Sequence, residues 1–165
     1  MSLVEVTETN VYNAFMISQQ CLPVAFPLKF FQESLKNINE HDSSIYFSKL
    51  VLDPKIGYPV GCFKAKMLFK NSTSAVPDGL YIEVIAVCAN YQNKNYGTLM
   101  LESIEDVCKD NYLRKITVHV SIDNIKSLEW YKKHGFQQTG KALPNYYTFK
   151  NGSKMDALVL TKHLS

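Results

Sequence analysis

The hydrophobic and polar positions of this chain form short apolar runs and longer stretches with helical spacing. The runs at 79–87 and 115–121 are rich in β-branched residues and predict buried strands. Between them, apolar residues recur at i, i+4, i+7 and i+8 from Met100, which predicts an amphipathic helix over 95–110. Taken along the whole chain, the pattern predicts strands over 2–7, 45–52, 58–69, 79–87, 115–121, 145–150 and 155–162, and helices over 11–20, 27–35, 95–110 and 124–134.

Local signals place the ends of several elements. Thr9 or Asn10 is expected to cap the first helix, and Asp123 or Asn124 the last one, because short polar side chains accept bonds from free helix amides. Gly135 provides the C-terminal stop of that last helix, since glycine readily adopts the left-handed conformation found there.

The predicted element order is β-α-α-β-β-β-α-β-α-β-β, which indicates an α/β (α+β) protein. The strand at 79–87, the helix after it and the strand at 115–121 form a βαβ unit, and its right-handed crossover makes the two strands parallel neighbours. The final hairpin turns through Asn151–Gly152–Ser153, where Asn-Gly favours a tight turn. We therefore expect a mixed, mostly antiparallel sheet with one central parallel pair.

Length and composition limit the domain organisation. With 165 residues, 46% of them hydrophobic, the chain fits a single domain over 1–165 with a sizeable core. Its longest apolar stretches have the length of strands, and its N-terminus lacks the apolar segment of a secretory signal. We therefore expect a soluble, cytoplasmic protein with neither a membrane span nor a leader peptide.

Charge and cysteine content narrow the chemistry only slightly. The formal net charge of +3 comes with scattered lysines, which permit contact with a nucleotide cofactor or ribosomal RNA but are also typical of a solvated surface. The four cysteines form no C-x-x-C pair and are interpreted as small buried hydrophobic residues. We expect neither a metal site nor direct DNA binding.

The loop before the 95–110 helix has the features of an anion-binding site. A helix that begins near Asn95 points its unpaired N–H groups and its positive dipole end into the loop. The sequence Gln92–Asn93–Lys94–Asn95–Tyr96–Gly97 resembles the Gln/Arg-x-x-Gly-x-Gly/Ala signature of GNAT-fold acetyltransferases, whose backbone amides hold the pyrophosphate of acetyl-CoA. Gln92 and Gly97 match, whereas Asn95 replaces a glycine. Short Gly/Asn loops before helices are also common without any ligand.

A second motif lies about thirty residues later, where the segment from Asn124 to Phe136 has the spacing Asn-x6-Tyr-x3-Gly-Phe through Tyr131 and Gly135. It closely resembles the last helix of the GNAT fold, in which the Asn touches the cofactor arm and the Tyr hydroxyl lies by the CoA sulfur. Each residue alone is explained as a cap, a half-buried aromatic or a helix stop. Together the two motifs imply the GNAT fold, whose central parallel strands splay apart.

Within that family the chain is most similar to the Nα-acetyltransferases that modify protein N-termini, and most of all to the NatE-type catalytic subunit. Residues 22–26 (Leu-Pro-Val-Ala-Phe) resemble its Phe-Pro-Val-x-Tyr loop, residues 80–82 its Leu-Tyr-Ile strand, and residues 118–124 its His-Val-x-Ile-x-Asn segment. Residues 145–147 fit its C-terminal hairpin. NatA-type subunits carry a glutamate at the position of Val24.

The reaction implied by this resemblance needs a base, because a free α-amine has a pKa near 8 and must lose a proton before it attacks a thioester. The resemblance places His119 and Tyr81 at that amine, acting through ordered water, and neutral imidazole is the better base. Tyr131 would protonate the leaving thiolate or position the thioester. A strand N–H near 84–87 would stabilise the charge on the carbonyl oxygen. A single histidine on a strand is otherwise an ordinary core residue.

The resemblance thus assigns three groups of residues. The candidate catalytic residues are Tyr81, His119 and Tyr131. The candidates for binding acetyl-CoA are Val84, Ile85, Ala86, Val87, Gln92, Asn93, Lys94, Asn95, Tyr96, Gly97, Thr98, Asn124 and Tyr131. The candidates for an apolar, aromatic peptide slot suited to an initiator methionine are Leu22, Pro23, Val24, Phe26, Tyr81, Tyr146 and Tyr147. Alternatively, Tyr146 and Tyr147 are ordinary strand packing.

Three residues depart from the family pattern. Leu22 replaces a phenylalanine and Phe26 a tyrosine, which removes a ring face and a hydroxyl from the peptide slot. One lost hydrogen bond weakens binding by about 0.5–1.5 kcal/mol. Asn95 suits the phosphate loop if the position requires only a positive φ, but its side chain obstructs the phosphates if the backbone must approach them closely.

Two functions remain open from the sequence. The first is acetylation of nascent polypeptide N-termini, preferring a retained Met followed by an apolar residue, in a ribosome-bound NatA/NatE-like complex. Its implied partners are a helical-repeat scaffold subunit and a sister NatA catalytic subunit. The second is a catalytically weak or inactive structural subunit of that complex, whose degenerate loop binds acetyl-CoA poorly. Acetylation of internal lysines or small amines predicts an open, acidic groove, which the apolar loop at 22–26 argues against.

Overall fold

One mixed sheet carries the helices in this computed structural model, which describes residues 2–35, 44–69, 74 and 76–165. Within these ranges the strands are β1 (Ser2–Glu5), β2 (Tyr46–Leu52), β3 (Pro59–Phe69), β4 (Pro77–Val87), β5 (Lys115–Ser121), β6 (Gln137–Gln138), β7 (Leu143–Thr148) and β8 (Lys154–His163). The helices there are α1 (Val11–Cys21), α2 (Leu28–Gln32), α3 (Tyr96–Asp110) and α4 (Ile125–Lys133), with short 3-10 turns at Glu33–Leu35 and Ala89–Tyr91. In the described part, every helix falls short of the length and apolar content that a membrane crossing needs.

The sheet runs in the order β1-β2-β3-β4-β5-β8-β6, and β7 also pairs with β8. Only β4 and β5 are parallel among the described strands, through the pairs Leu80↔Ile116, Tyr81↔Thr117 and Ile82↔Val118. All other described pairs are antiparallel. The predicted mixed sheet and its βαβ unit are therefore confirmed.

Each face of the sheet carries its own core. On one face α3 and α4 cover a cluster that includes Phe63, Ile82, Met100, Ile104 and Leu160. On the other face α1 and α2 cover a second cluster, with Ala14, Phe31, Leu50, Cys62 and Val84. Burial of one large apolar side chain stabilises the fold by about 1.5–3 kcal/mol, so both layers hold β4 in place.

The structure corrects several predicted boundaries. β4 begins at Pro77 rather than at 79, and α2 begins at Leu28 with Pro27 as its cap and ends earlier than 35. β7 covers Leu143–Thr148 rather than 145–150, because a left-handed Asn145 (φ 52°) breaks its register against β8. Residues 70–73 and 75, between β3 and β4, lie outside the described residues.

One strand was missed altogether. β6 consists of two exposed glutamines that pair with Leu160 and Thr161 of β8. A pair of polar residues has no hydrophobic periodicity, so only the proximity of β8 makes this segment a strand.

The predicted caps are partly confirmed. Asn124 caps α4, since its Oδ1 accepts a bond from the Ser127 N–H at 3.2 Å. Asn10 lies at the cap position of α1, but its side chain accepts from the Thr7 N–H and donates to the Glu5 carbonyl instead.

The glycines expected at turns have the left-handed backbone conformation that was predicted for them. Gly135 after α4 has φ 94° and Gly152 in the hairpin turn has φ 86°. Cys62 and Cys108 are buried as expected, Cys21 and Cys88 are half-buried, and all four thiols are free.

Substitution of Gly61 in β3 tests how tightly the residues next to β4 are packed. A Cβ built at this position lies 2.8 Å from the Ala86 carbonyl oxygen and 2.8 Å from Val51 Cγ1. We expect Gly61→Ala to destabilise the fold by about 1–3 kcal/mol, because neither backbone nor core can move away cheaply. Thermal unfolding would show a Tm lowered by about 2–4 °C per kcal/mol. Lys141→Ala, at an exposed loop position, is the control, and equal Tm values for both variants would contradict the packing argument.

Candidate active site

A cleft opens where β4 and β5 separate. Their parallel pairing ends at Ile82 and Val118. On its other side β4 contains a bulge, because Ala65 of β3 pairs with Ile82 whereas Lys64 pairs with Val84. Glu83 is therefore the extra residue of the bulge, and such an irregularity bends a strand and redirects its side chains.

The walls of this opening, which we call the central cleft, come from five parts of the fold. They are the α1–α2 loop, the end of β4, the end of β5, the start of α4 and the β7–β8 hairpin. The lining residues are Leu22, Pro23, Val24, Phe26, Ile82, Glu83, Val84, Ile85, Val118, His119, Val120, Ser121, Asn124, Ser127, Tyr131, Tyr147 and Phe149.

Three side chains meet in a hydrogen-bonded cluster beside the cleft. The Tyr81 hydroxyl lies 2.8 Å from His119 Nδ1, the Tyr146 hydroxyl lies 2.8 Å from the same nitrogen, and the two hydroxyls are 3.3 Å apart. Tyr81 and His119 come from the paired strands β4 and β5, whereas Tyr146 comes from β7. The structure thus brings together two predicted catalytic residues and one predicted peptide-site residue.

Burial sets the protonation of this cluster. Loss of solvent lowers the pKa of His119, because a buried imidazolium loses its hydration. Burial, followed by the hydrogen bond between Tyr81 and Tyr146 and, less strongly, by the charge of Glu83, raises the pKa of Tyr81. At neutral pH the cluster therefore holds a neutral imidazole beside the protonated phenol of Tyr81. With its Nδ1 facing both hydroxyls, the imidazole can accept a proton through either of them.

Tyr147 fixes the backbone at the same place. Its hydroxyl donates a 2.9 Å bond to the carbonyl oxygen of His119, and burial raises its pKa. Tyr147 thus ties the β7–β8 hairpin to β5, and the ring lines the cleft as well.

The start of α4 forms the opposite wall. Tyr131 lines the cleft and is almost completely buried, rather than half-buried, and this burial raises the pKa of its hydroxyl. Asn124 both caps α4 and lines the cleft. A protonated phenol at this wall can donate a proton or a hydrogen bond to a group in the cleft.

The loop at 92–97, predicted to bind an anion, contains two residues with left-handed backbone. Asn93 and Asn95 have φ values of 62° and 68°, so the residue that replaces glycine adopts the left-handed conformation. Gln92 ties the loop down, since its Nε2 donates to the Val87 carbonyl and its Oε1 accepts from Lys126 Nζ. The loop thus leads from the end of β4 into the positive end of α3.

Several predicted cofactor residues have other contacts through their side chains. A Cβ at Gly97 would lie 3.1 Å from the Trp130 ring, so this glycine lets α3 and α4 pack closely. The Tyr96 ring is buried, and the Thr98 hydroxyl lies 3.2 Å from His134 Nε2. At these three positions only the backbone amide and carbonyl groups remain available to contact a ligand.

The predicted peptide loop is attached to the hairpin. The Pro23 carbonyl accepts a 2.9 Å bond from the Lys150 N–H, which joins the two walls of the slot. The Phe26 ring contacts Phe30 of α2 at 4.8 Å between centroids. Leu22 and Phe26, the two residues of this loop that differ from the family pattern, both line the cleft.

Two charged residues in the site escaped the sequence analysis. Lys64 of β3 is fully buried between the carboxylates of Glu33 and Glu83, at 2.9 and 3.1 Å, and against the Phe30 ring. The sequence signal that could have identified them is a lysine and a glutamate within two otherwise apolar strands. Such residues point to a buried ion pair, because buried charges are retained in cores only when paired.

Comparisons with known proteins agree with this geometry. The sequence profile described as the Acetyltransferase (GNAT) family matches residues 11–136. The chain is 29% identical to N-alpha-acetyltransferase 50 of Danio rerio over 167 residues, covering 99% of this chain and 89% of that protein.

Solved structures share the fold. The structure of Arabidopsis thaliana Naa50 in complex with the bisubstrate analogue CoA-Ac-MVNAL has a TM-score of 0.78 at 24% identity, covering 98% of this chain and 97% of that one. The ribosomal-protein-S18-alanine N-acetyltransferase of Escherichia coli has a TM-score of 0.78 at 20% identity, covering 99% and 94%.

The lowered pKa of His119 predicts a specific pH dependence of stability. Because the unfolded chain binds a proton near pH 6.5 and the folded chain only at lower pH, the unfolded state gains more protons as the pH falls. We expect the free energy of unfolding to decline below about pH 6.5 in the wild type, and less in His119→Gln. Urea unfolding between pH 7.5 and 5 measures this difference, with the exposed His163→Gln as control. Parallel curves for wild type and His119→Gln would contradict the prediction.

Proposed function

The chain belongs to the acetyltransferase (GNAT) family, and we propose that it transfers the acetyl group of acetyl-CoA to the α-amine of protein N-termini. The observation that carries this proposal is the neutral His119 imidazole, hydrogen-bonded to Tyr81 at the point where the parallel strands separate. A base at the floor of a cleft with apolar walls suits a reaction that begins with deprotonation of an amine.

The proton would leave the amine by way of the cluster. His119 Nδ1 accepts it through the Tyr81 or Tyr146 hydroxyl, or through water, and each hydroxyl can donate one proton while it receives another. The raised pKa of Tyr81 makes this phenol a relay and a positioning group rather than the final base. The attack of the amine then forms the new C–N bond as the C–S bond breaks, Tyr131 donates a proton to the departing sulfur, and the remaining extra proton on the nitrogen returns to the Tyr131 oxygen directly or through water.

The acetyl donor fits the other half of the cleft. From Glu83 onwards β4 does not pair with β5 in the described structure, so its backbone is available to a pantetheine arm and to the thioester oxygen. The amides at the start of α3, reached through the left-handed Asn93 and Asn95, suit a pyrophosphate. Lys126, held at Gln92, adds a positive charge beside them.

The acceptor would be a peptide that begins with methionine followed by an apolar residue. Leu22, Pro23, Val24 and Phe26 give the cleft an apolar wall that suits a methionine side chain. The Arabidopsis structure, in which an analogue joins CoA to a peptide starting Met-Val, supports this choice. From the resemblance of the sequence to NatE-type catalytic subunits, we also propose cytoplasmic, co-translational action with a helical-repeat scaffold and a sister NatA catalytic subunit.

A second candidate is a structural subunit with little catalytic activity. It was motivated by Asn95 in place of the loop glycine. The left-handed conformation of Asn95 meets the backbone requirement of that position, and its side chain is exposed. The complete Tyr81–His119 cluster also favours the enzyme over the structural subunit.

Removal of the proposed base tests catalysis. We expect His119→Ala to lower kcat by about a hundredfold on a Met-starting peptide, since a general base contributes about 10²–10⁴ in rate. Isothermal titration should show acetyl-CoA binding that matches the wild type, because His119 serves the acceptor. His163→Ala is the matched control. A wild type that neither binds acetyl-CoA nor acetylates the peptide would support the structural subunit instead.

Substitutions at Asn95 test the cofactor loop. We expect Asn95→Gly to keep the acetyl-CoA affinity within about threefold, because glycine adopts a positive φ freely. Asn95→Val should weaken binding by about fivefold or more, since left-handed strain in a β-branched residue costs roughly 1–3 kcal/mol. Titration calorimetry measures both, with Tm as a check on folding. A change beyond tenfold for Asn95→Gly would show that the asparagine side chain itself contacts or obstructs the phosphates.

A further inference from the structure

The buried charges beneath the central cleft have no role in the mechanism described so far. Lys64 Nζ lies 2.9 Å from Glu33 Oε2 and 3.1 Å from Glu83 Oε1, and its ammonium group lies 3.6 Å from the centroid of the Phe30 ring. Two carboxylates and one ammonium leave this group with a formal charge of one negative. We call Glu33, Lys64 and Glu83 the buried charge group.

Only one member of the group reaches the cleft. Among the described residues that line it, Glu83 is the one with a formal charge, whereas Glu33 does not line it at all. The Glu83 side chain is 12% exposed. The bulge in β4 places it there, because an extra residue in the strand turns this side chain toward the cleft and toward Lys64.

The hydrogen bonds of Glu83 are incomplete. Its Oε1 is buried and, among the described residues, accepts no hydrogen bond, although the Lys64 ammonium lies within ion-pair distance. Buried carboxylates normally have their bonds satisfied, whereas Glu83 has an ion pair with Lys64 without a well-directed hydrogen bond, so the carboxylate retains capacity to accept one. A ligand in the cleft can provide the donor.

Glu83 also lies beside the proposed base. The last parallel pair is Ile82↔Val118, so Glu83 and His119 are the next residues on the two strands as these separate. The charge of Glu83 contributes to the raised pKa of Tyr81, which is consistent with a carboxylate near the cluster. A group bound by Glu83 is thus within the region where the amine must lose its proton.

We propose that Glu83 is an acceptor-binding residue that recognises the positively charged α-ammonium group of the incoming peptide. This inference rests on the proposed function and adds the residue that selects the amine. With a pKa near 8, most α-amines are protonated at neutral pH and enter the cleft as cations. A cation that leaves water for an apolar cleft needs a compensating negative charge, and Glu83 provides it.

Lys64 adjusts the strength of this attraction. An isolated carboxylate would hold the ammonium tightly and oppose its deprotonation. With Lys64 at 3.1 Å, part of the Glu83 charge is offset, so the ammonium is attracted but still able to transfer its proton to the His119 cluster. The apolar walls recognise the methionine side chain, and the single carboxylate recognises the amine.

The experiment measures binding at equilibrium, without turnover. Two peptides are titrated into the protein saturated with CoA: a Met-Val peptide with a free α-amine, and the same peptide with that amino group replaced by hydrogen. We expect the wild type to bind the amine form about tenfold more tightly, which corresponds to about 1.4 kcal/mol. In Glu83→Gln this preference should fall to about twofold or less, and Glu83→Asp should restore part of it.

Glu33→Gln is the matched control, because it removes the other carboxylate from Lys64 without changing the cleft lining. It should keep a clear preference for the amine form, weaker than in the wild type because the group then has no net charge, but stronger than in Glu83→Gln because Glu83 still faces the cleft. If Glu83→Gln does not fold, the double variant Lys64→Met with Glu83→Met replaces the buried pair by apolar side chains of similar volume, which proteins often tolerate. This double variant should also lose the preference for the peptide with a free α-amine.

The outcomes separate this inference from the proposed function. A wild-type preference that persists in Glu83→Gln, or is lost equally in Glu33→Gln, overturns the role of Glu83 while N-terminal acetylation stands. If the preference for the amine form is lost only when the Glu83 charge is removed, the role of Glu83 is supported. This conclusion holds even if the wild type acetylates no peptide and the proposed function fails. A wild type that binds both peptides equally, or neither, overturns the inference.

Discussion

The separation of β4 from β5 is the constraint on which this site depends. At the closed end the strands are held very near each other, since a Cβ at Gly79 would lie 2.7 Å from the Lys115 carbonyl oxygen. Three residue pairs later the pairing stops, while β4 remains paired with β3 through the bulge at Glu83. Because apolar residues of β4 are buried in both cores, the strand cannot shift to close the gap. The cleft is therefore a permanent feature of the sheet.

Every other part of the site is arranged around that opening. The hairpin reaches over it, with Tyr146 at His119 and Lys150 at the Pro23 carbonyl. On the other side α4 lines the cleft through its cap residue Asn124 and through Tyr131. Low solvent exposure then has a chemical consequence, because it keeps the His119 imidazole neutral and the phenols of Tyr81 and Tyr131 protonated at the pH where an amine must be deprotonated.

Burial of the charge group beneath the cleft is unfavourable in free energy, and its contacts explain how the fold tolerates it. A lysine without solvent is stable only if its charge is compensated, and here two carboxylates and the rings of Phe30 and Tyr46 surround it. Replacement by apolar residues is often neutral for stability, so stability alone does not explain the pair. The position of Glu83 in the cleft lining is the basis for the role in acceptor binding proposed above.

Local patterns in the sequence determined the strands and helices, the βαβ unit and the loop at 92–97, because periodicity and turn residues act over short distances. They also placed Tyr81 and His119 on neighbouring strands. Only the tertiary structure decided the features that depend on register and packing. The bulge that brings Glu83 to Lys64, the Tyr146 hydroxyl at His119 Nδ1, and the packing of Gly97 against Trp130 all join residues distant in sequence. No periodicity encodes such contacts, since a shift of one residue in pairing would redirect each side chain.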